Sequence, residues 1–367
     1  MKNNAKSLFE TCYRGTLQCK ESMFTVHGKE VNKMKFLVGS FVYGVFLFIK
    51  ILFARFLNAP VLDAKMNFSW ISYQSRFNDY KPSRTTLNYH YKEFSKEEIS
   101  ILKYVSLKGV WSNLQKLNSL NLSDFQRDCD SFWFRFVNAV EFELVNGVFR
   151  LGVIKHVVIA GLNDRMTINV CELGKKYGVK VTVLQHGAFT KFTSNFLTIA
   201  DEFCYIYEFS LPYLGYFFRN SNEIKLIKLP LSNSKKELAD RAGDKPFVAY
   251  ATTPTNVPLN ISIIEEIKQK LSSDIELVIY PHPRESLEVY KYLVSERVEI
   301  SRKKYKAPLL FLTRISSIGV EMAGEGQRVC FVNAENHCTD FLDSGKFDVI
   351  QDVSSIGTVL EKIINGK

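Results

Sequence analysis

The sequence predicts an α/β protein built from two Rossmann-like halves, each a parallel sheet wrapped by helices. Three observations predict it. From about residue 153 onward, short apolar, β-branched runs alternate with polar turns and helical stretches. The same grammar restarts after a polar, charged connection at residues 231–245. Several of the runs end in turns carrying His, Pro, Gly or Ser, the place where parallel sheets bind ligands.

At 367 residues the chain is long enough for two full-sized cores. A hydrophobic share of 46% and a charged share of 23% are ordinary for a globular protein and exclude wholesale disorder. The net charge of +10 favours anionic partners: polyanions, lipid surfaces or phosphorylated substrates. The seven cysteines are odd in number and scattered, which fits reduced thiols in a cytosolic setting rather than a disulfide framework. The N-terminus lacks the early apolar core of a cleaved signal peptide.

Residues 1–35 are mixed and basic, and residues 36–49 then run without a charge; beyond Lys50 and Arg55 the apolar character resumes until Pro60. A spanning helix wants about 20 apolar residues. The uncharged run is shorter and its extension holds two cations, so a helix lying on a membrane surface is expected, a buried core helix being the alternative. Residues 61–150 are aromatic-rich and helix-leaning, with a long, largely buried helix over 131–145. They offer no chemistry; His90 and His156 read as structural.

In the first half, strands are expected at residues 156–160, 180–184, 202–207 and 224–228, with a helix over 166–177. The turn after the first of these strands carries Asn163, Asp164 and Arg165, and the next strand ends in Gln185-His186-Gly187. The glycine permits close backbone approach, and a neutral imidazole near pH 7 suits a general base. His186 is therefore the candidate base and Asp164 its competitor, with Asn163, Arg165, Gln185 and Gly187 as acceptor or donor contacts. The plain alternative for His186 is a hydrogen bond inside its own tight turn.

In the second half, strands are expected at 247–251, 276–280, 309–312 and 328–332, with helices at 261–271, 287–294, 317–323 and 353–364. The strand Leu277-Val278-Ile279-Tyr280 ends in a stiff Pro281-His282-Pro283-Arg284 corner suited to an anion. Ser316 and Ser317 stand where the next strand hands over to a helix, a phosphate-binding arrangement that is also an ordinary N-cap. Glu321, one turn on, could accept from ribose hydroxyls or face solvent. Arg284 and Arg314 are less specific cations that either serve the site or face water. No GxGxxG or GxxxxGK[ST] occurs, which disfavours a dinucleotide dehydrogenase or a P-loop enzyme. No HExxH, DxD or clustered Cys/His pattern occurs either, so neither metal nor cofactor is expected.

On His282-Pro283, Ser316-Ser317 and Gln185-His186-Gly187 the chain resembles the bacterial GT-B glycosyltransferases of capsule and lipopolysaccharide synthesis that use CMP-activated acidic sugars. That group includes sialyltransferases, polysialyltransferases and Kdo transferases. The resemblance covers roughly residues 153–335 and implies two Rossmann-like domains facing a cleft, here with a helical N-terminal extension. Residues 1–60 would be a membrane-associating segment, 61–240 the acceptor-side domain and 241–367 the nucleotide-sugar domain. It further implies an inverting, metal-independent transferase, with His282, Pro283, Arg284, Ser316, Ser317 and Glu321 on the nucleotide. Its donor would be a CMP-sugar carrying sialic acid, Kdo or another nonulosonate. Its acceptor would be a lipid-linked glycan at the cytoplasmic face of the inner membrane, on which the enzyme would be peripheral. The acidic pair plus glycine usual in the sialyltransferases is missing from the first sheet, and His186 stands in a comparable place. Polymerases of teichoic-acid type, which use CDP-glycerol or CDP-ribitol, share the same short motifs and are the alternative. Basic residues are spread without a nucleic-acid-binding pattern, so no nucleic acid is expected.

Overall fold

The computed structural model describes residues 7–26, 33–58, 67–70, 86–88, 96–118, 120–160, 165–185, 197–229, 238–241, 245–254, 256–283, 285–336 and 340–364. The described part of residues 1–229, apart from 207–211, forms one compact unit; residues 207–211 join the described residues beyond 230 in a second. The boundary between the two units lies near Leu229, and the described part of residues 1–60 belongs to the first.

The first unit is built on helix α6 (Phe132–Arg150), opened by Ser131, whose hydroxyl accepts from the Phe134 N–H at 3.1 Å. From Phe136 to Val145 every side chain of α6 is buried, as its apolar run requires. Packed around it are α1 (Leu8–Val26), α2 (Lys33–Ala54), α4 (Leu107–Lys116) and α7 (Arg165–Tyr177). The short α3 (Lys96–Ile101) and α5 (Asp124–Cys129) fill in between. Helix α1 was hidden in a mixed, basic stretch; it buries Phe9, Cys12, Tyr13 and Leu17. Gly109 lets α4 sit close on α6, since a Cβ there would lie 2.3 Å from a Glu143 carboxylate oxygen.

The sheet of this unit is parallel: β3 (His156–Ala160), β4 (Lys180–Leu184), β5 (Glu202–Tyr205) and β6 (Lys225–Lys228) lie side by side in that order. Two short strands, β1 (Asn67–Trp70) and β2 (Thr86–Asn88), extend it beyond β3. The aromatic-rich stretch before α6 therefore supplies strands as well as helices.

The second unit holds six parallel strands: β7 (Phe247–Ala251), β8 (Glu276–Tyr280), β9 (Val298–Ile300), β10 (Leu310–Thr313), β11 (Val329–Val332) and β12 (Asp348–Ile350). Their spatial order is β12-β11-β10-β7-β8-β9. This is the doubly wound Rossmann order, in which the chain reverses direction across the sheet between β7 and β10. Strands β7, β8, β10 and β11 are buried almost throughout, the signature of a parallel sheet covered on both faces. Helices α8 (Val257–Lys270) and α11 (Ile356–Ile364) cover one face through Ile263, Ile264, Ile267, Ile356 and Leu360. Helix α9 (Ser317–Gly324) approaches β10 and β11 closely at Gly319, where a Cβ would meet Phe331 at 2.5 Å. The short α10 (Asp340–Asp343) leads into β12. Helix α8 begins four residues earlier than the apolar pattern suggests. Asn256, in the left-handed region at φ 56°, caps it by accepting from the Leu259 N–H. Residues 287–293 form a 3-10 helix.

Candidate nucleotide site at the strand ends of the second unit

Three neighbouring strands end level with one another: Ala251 of β7 pairs with Tyr280 of β8 on one side and with Thr313 of β10 on the other. The next residues of each strand, Thr252, Pro281 and Arg314, therefore leave the sheet at one height. His282 follows β8 and Ser316 follows β10, with β7 between them. Strand spacing puts their backbones on the order of 10 Å apart, room for a group of phosphate size. This edge lies at the switch point of the sheet, where doubly wound proteins bind ligands.

The His282 corner is held rigidly. Its backbone N–H donates to Glu285 Oε2 at 2.8 Å and to Thr252 Oγ1 at 3.0 Å. The Thr252 hydroxyl in turn donates to Glu285. The other carboxylate oxygen of Glu285 accepts from the Tyr290 phenol at 2.8 Å and from the Asn260 amide at 3.3 Å. On the outside, the Arg302 guanidinium donates to the carbonyls of Pro281, His282 and Glu285 at 2.7, 2.8 and 2.7 Å. Prolines alone predicted a stiff turn; the structure adds a carboxylate inside it and a guanidinium outside it. His282 itself is half-buried and Pro283 exposed.

Across β7, Ser316 is the N-cap of α9, with its hydroxyl accepting from the Ile318 N–H at 3.4 Å. That bond is long, so the plain N-cap reading accounts for only part of the hydroxyl's capacity. Ser317 opens the helix, and Glu321 is half-buried one turn along. Arg314 is neither a ligand-facing nor a water-facing cation. It is 1% exposed, ion-pairs with Glu335, and donates to Thr253 Oγ1 at 2.7 Å and Asn260 Oδ1 at 3.3 Å. Glu335 also accepts from the Asn256 amide at 2.7 Å. One buried cation thus ties the ends of β7, β10 and β11 to the start of α8. Asn260 donates to the Thr253 carbonyl and accepts from the Tyr250 phenol at 3.0 Å. Burial, together with the Glu285 hydrogen bond, pushes the Tyr290 phenol up to about 12, and burial likewise raises Tyr250. Both phenols are fixed neutral donors at physiological pH and do not serve as bases.

Glu285, Arg302, Asn260 and Glu335 were not singled out from the sequence. Glu285 carried a signal, being the carboxylate that closes the Pro-His-Pro-Arg corner. Glu335 stands in the polar turn after β11, one strand farther from the motifs.

His186, Asp164, Asn163, Gly187 and Arg284 lie outside the described residues. Gln185 is fully buried, and its side-chain oxygen accepts from the Ile206 N–H at 2.8 Å. Its oxygen thereby ties the ends of β4 and β5 together. Arg165 opens α7 and is committed to Glu141 of α6, whose carboxylate it grips with two nitrogens while Tyr43 donates a third bond at 3.1 Å. His156 sits at the amino end of β3, bonded to Thr182 Oγ1 at 2.8 Å, and burial, with Lys180 beside it, pushes its imidazole down. Among the described residues no three His, Cys, Asp or Glu side chains are grouped to hold a metal ion.

No protein-family model matches the sequence, and no curated protein matches it. Solved structures do. The S. aureus MnaA–UDP co-structure aligns over 82% of this chain and 87% of its own, at 12% identity and a TM-score of 0.52. UDP-GlcNAc 2-epimerase from Methanocaldococcus jannaschii aligns over 82% and 92%, at 11% identity and a TM-score of 0.48. A glycosyltransferase from Rickettsia africae aligns over 82% and 88%, at 9% identity and a TM-score of 0.47. The first of these likenesses shows the fold: the chain is α/β with two parallel sheets, GT-B-like.

Proposed function

We propose that this protein is a GT-B enzyme acting on a nucleotide-activated sugar, with the nucleotide phosphate held between the His282 corner and the Ser316 end of α9. The observation that carries the reading is the placement of those two turns on either side of β7, at the switch point of a six-stranded doubly wound sheet. An imidazole and a hydroxyl-capped helix N-terminus are groups that offset charge on a departing phosphate.

Within that reading, the donor is a CMP-activated acidic sugar (sialic acid, Kdo or another nonulosonate) and the reaction is an inverting, metal-independent transfer to a surface-glycan hydroxyl. The His-Pro and Ser-Ser motifs support it. His186 acts as the base, with Asp164 the second candidate. The acceptor is a lipid-linked glycan at the cytoplasmic face of the inner membrane. A second reading, a UDP-sugar enzyme, is favoured by the fold likeness to a UDP-bound structure.

Thermal unfolding of the full chain against CMP, CDP, UDP and GDP separates these. A ligand present at a hundredfold its Kd stabilises by about 2.7 kcal/mol, a readily measured rise in Tm. CMP is expected to give the largest rise. A rise with UDP alone moves the protein to the second reading, and a rise with CDP alone points to a CDP-polyol phosphate transferase. No rise with any nucleotide overturns the proposal.

A further inference from the structure

The first unit carries an apolar face that none of its described elements covers, on helix α2. Residues 36–54 are long and apolar enough to cross a membrane. The exposed side chains fall on one helical face, at Val38, Phe41 and Val42, Phe48 and Ile49, and Leu52 and Phe53, with the half-buried Val45 and Phe46 on the turn between. Val42 is 59% and Phe53 55% exposed. Every exposed position from Val38 to Phe53 is apolar or glycine. The face continues onto α6 through ring contacts: Phe41 meets Trp133 at 5.5 Å, Trp133 meets Phe132 at 5.4 Å, and Phe132 is itself 56% exposed. Such a patch on a folded unit marks an interaction surface.

We propose that this face rests in the plane of an anionic lipid bilayer and that α2 does not cross it. The opposite side of α2 is fastened to the unit. Leu47, Ile51 and Ala54 are buried, and a Cβ on Gly44 would lie 2.5 Å from Trp133. Tyr43 donates to the buried Glu141 at 3.1 Å, and Lys50 is 2% exposed with its ammonium 5.0 Å from the Phe46 ring. A spanning α2 would drag Glu141, Glu143 and Asn138 of α6 into hydrocarbon, where each polar group costs several kcal/mol. A helix half embedded and half packed on protein has no such penalty, its apolar side sinking about 5–10 Å.

The charge around the face selects lipid over protein as its occupant. No Asp or Glu occurs from Lys33 to Leu62, while Lys33, Lys35 and Arg55 flank the stripe. At the amino end Lys33 is exposed and bridges Asp128 at 2.6 Å. At the carboxyl end Arg55 is exposed and donates to the Val105 carbonyl at 3.1 Å, just before the exposed Leu107, Lys108 and Trp111 of α4. Cations and an indole at the border of an apolar stripe match the headgroup level of a membrane. A protein partner would ask for roughly one hydrogen bond per 100–200 Å², and the stripe offers no side-chain donor or acceptor among its exposed residues.

The test is flotation of the full chain with phosphatidylcholine–phosphatidylglycerol vesicles, beside a Val42→Glu/Leu52→Glu variant. Both substituted positions are exposed, so the variant should melt at the wild-type temperature; circular dichroism checks this. Expected is flotation of the wild type, release by an alkaline carbonate wash, and loss of flotation in the variant. Wild-type protein that stays below the vesicles overturns the proposal, as does a well-folded variant that floats equally. Resistance to the carbonate wash overturns the in-plane placement. A wild-type dimer that the variant dissolves, without vesicle binding, assigns the face to a second copy instead. Neither arm involves a nucleotide, so its outcome is separate from that of the proposed function.

Discussion

Glu285 reaches back three residues to take the backbone N–H of His282 at 2.8 Å, while its second oxygen holds the Tyr290 phenol at the same distance. The candidate phosphate-binding histidine is thus set by a carboxylate three residues along the chain. Truncating Glu285→Ala leaves the His282 amide, the Thr252 hydroxyl and the Tyr290 phenol without that acceptor. A loss of about 2 kcal/mol in stability is expected from denaturant unfolding, together with weaker nucleotide binding. Glu285→Gln, which keeps an acceptor oxygen, should lie between the two. An alanine variant as stable as wild type would remove the carboxylate from this role.

Arg314 and Glu335 make the second strut. Removing the partner of a buried charge is strongly destabilising, so Arg314→Met should cost about 3 kcal/mol. Arg314→Lys should recover only part of it, since an ammonium lacks the fork that reaches Glu335, Thr253 and Asn260 together. A lysine variant with full stability would reduce the interaction to a point charge.

Glu202 sets a pH dependence on the first unit. Burial alone would raise its carboxyl, but hydrogen bonds from Lys180, Lys225 and Thr182 hold it down to about 2. A carboxyl depressed in the folded state contributes stability that is complete above its unfolded value, about 4.3, and is lost as pH falls toward the folded value. The stability difference between wild type and Glu202→Gln should therefore be constant near neutrality and shrink below pH about 4. A difference that grows on acidification would contradict the depressed value.

What the sequence made legible was local. Strands β3, β4, β7, β8, β10 and β11 are dense apolar runs that can only be buried, and their period and punctuation place them well. The His282 corner and the Ser316 cap are adjacent-residue signals, readable without knowing the partner strands. The Arg314–Glu335 pair spans 21 residues, and only the pairing of β10 with β11 brings it together. The bond of Gln185 to the Ile206 N–H was not legible, because a polar residue at a strand end has the same sequence whether it turns outward or into the sheet. Helix α1 was missed because its apolar face is sparse and its charges are many; contacts with α6 and α7 decide its burial. Strands β9 and β12 are short edge strands of mixed polarity, which no period of two reveals.

The most direct measurement is calorimetric titration of CMP and UDP into the full chain and into His282→Ala and Ser316→Ala. Nucleotide held at the β7/β10 switch point predicts micromolar to millimolar binding by the wild type, abolished in His282→Ala and weakened about tenfold in Ser316→Ala, a loss near 1.4 kcal/mol. Unchanged nucleotide affinity in a folded His282→Ala variant would contradict the site.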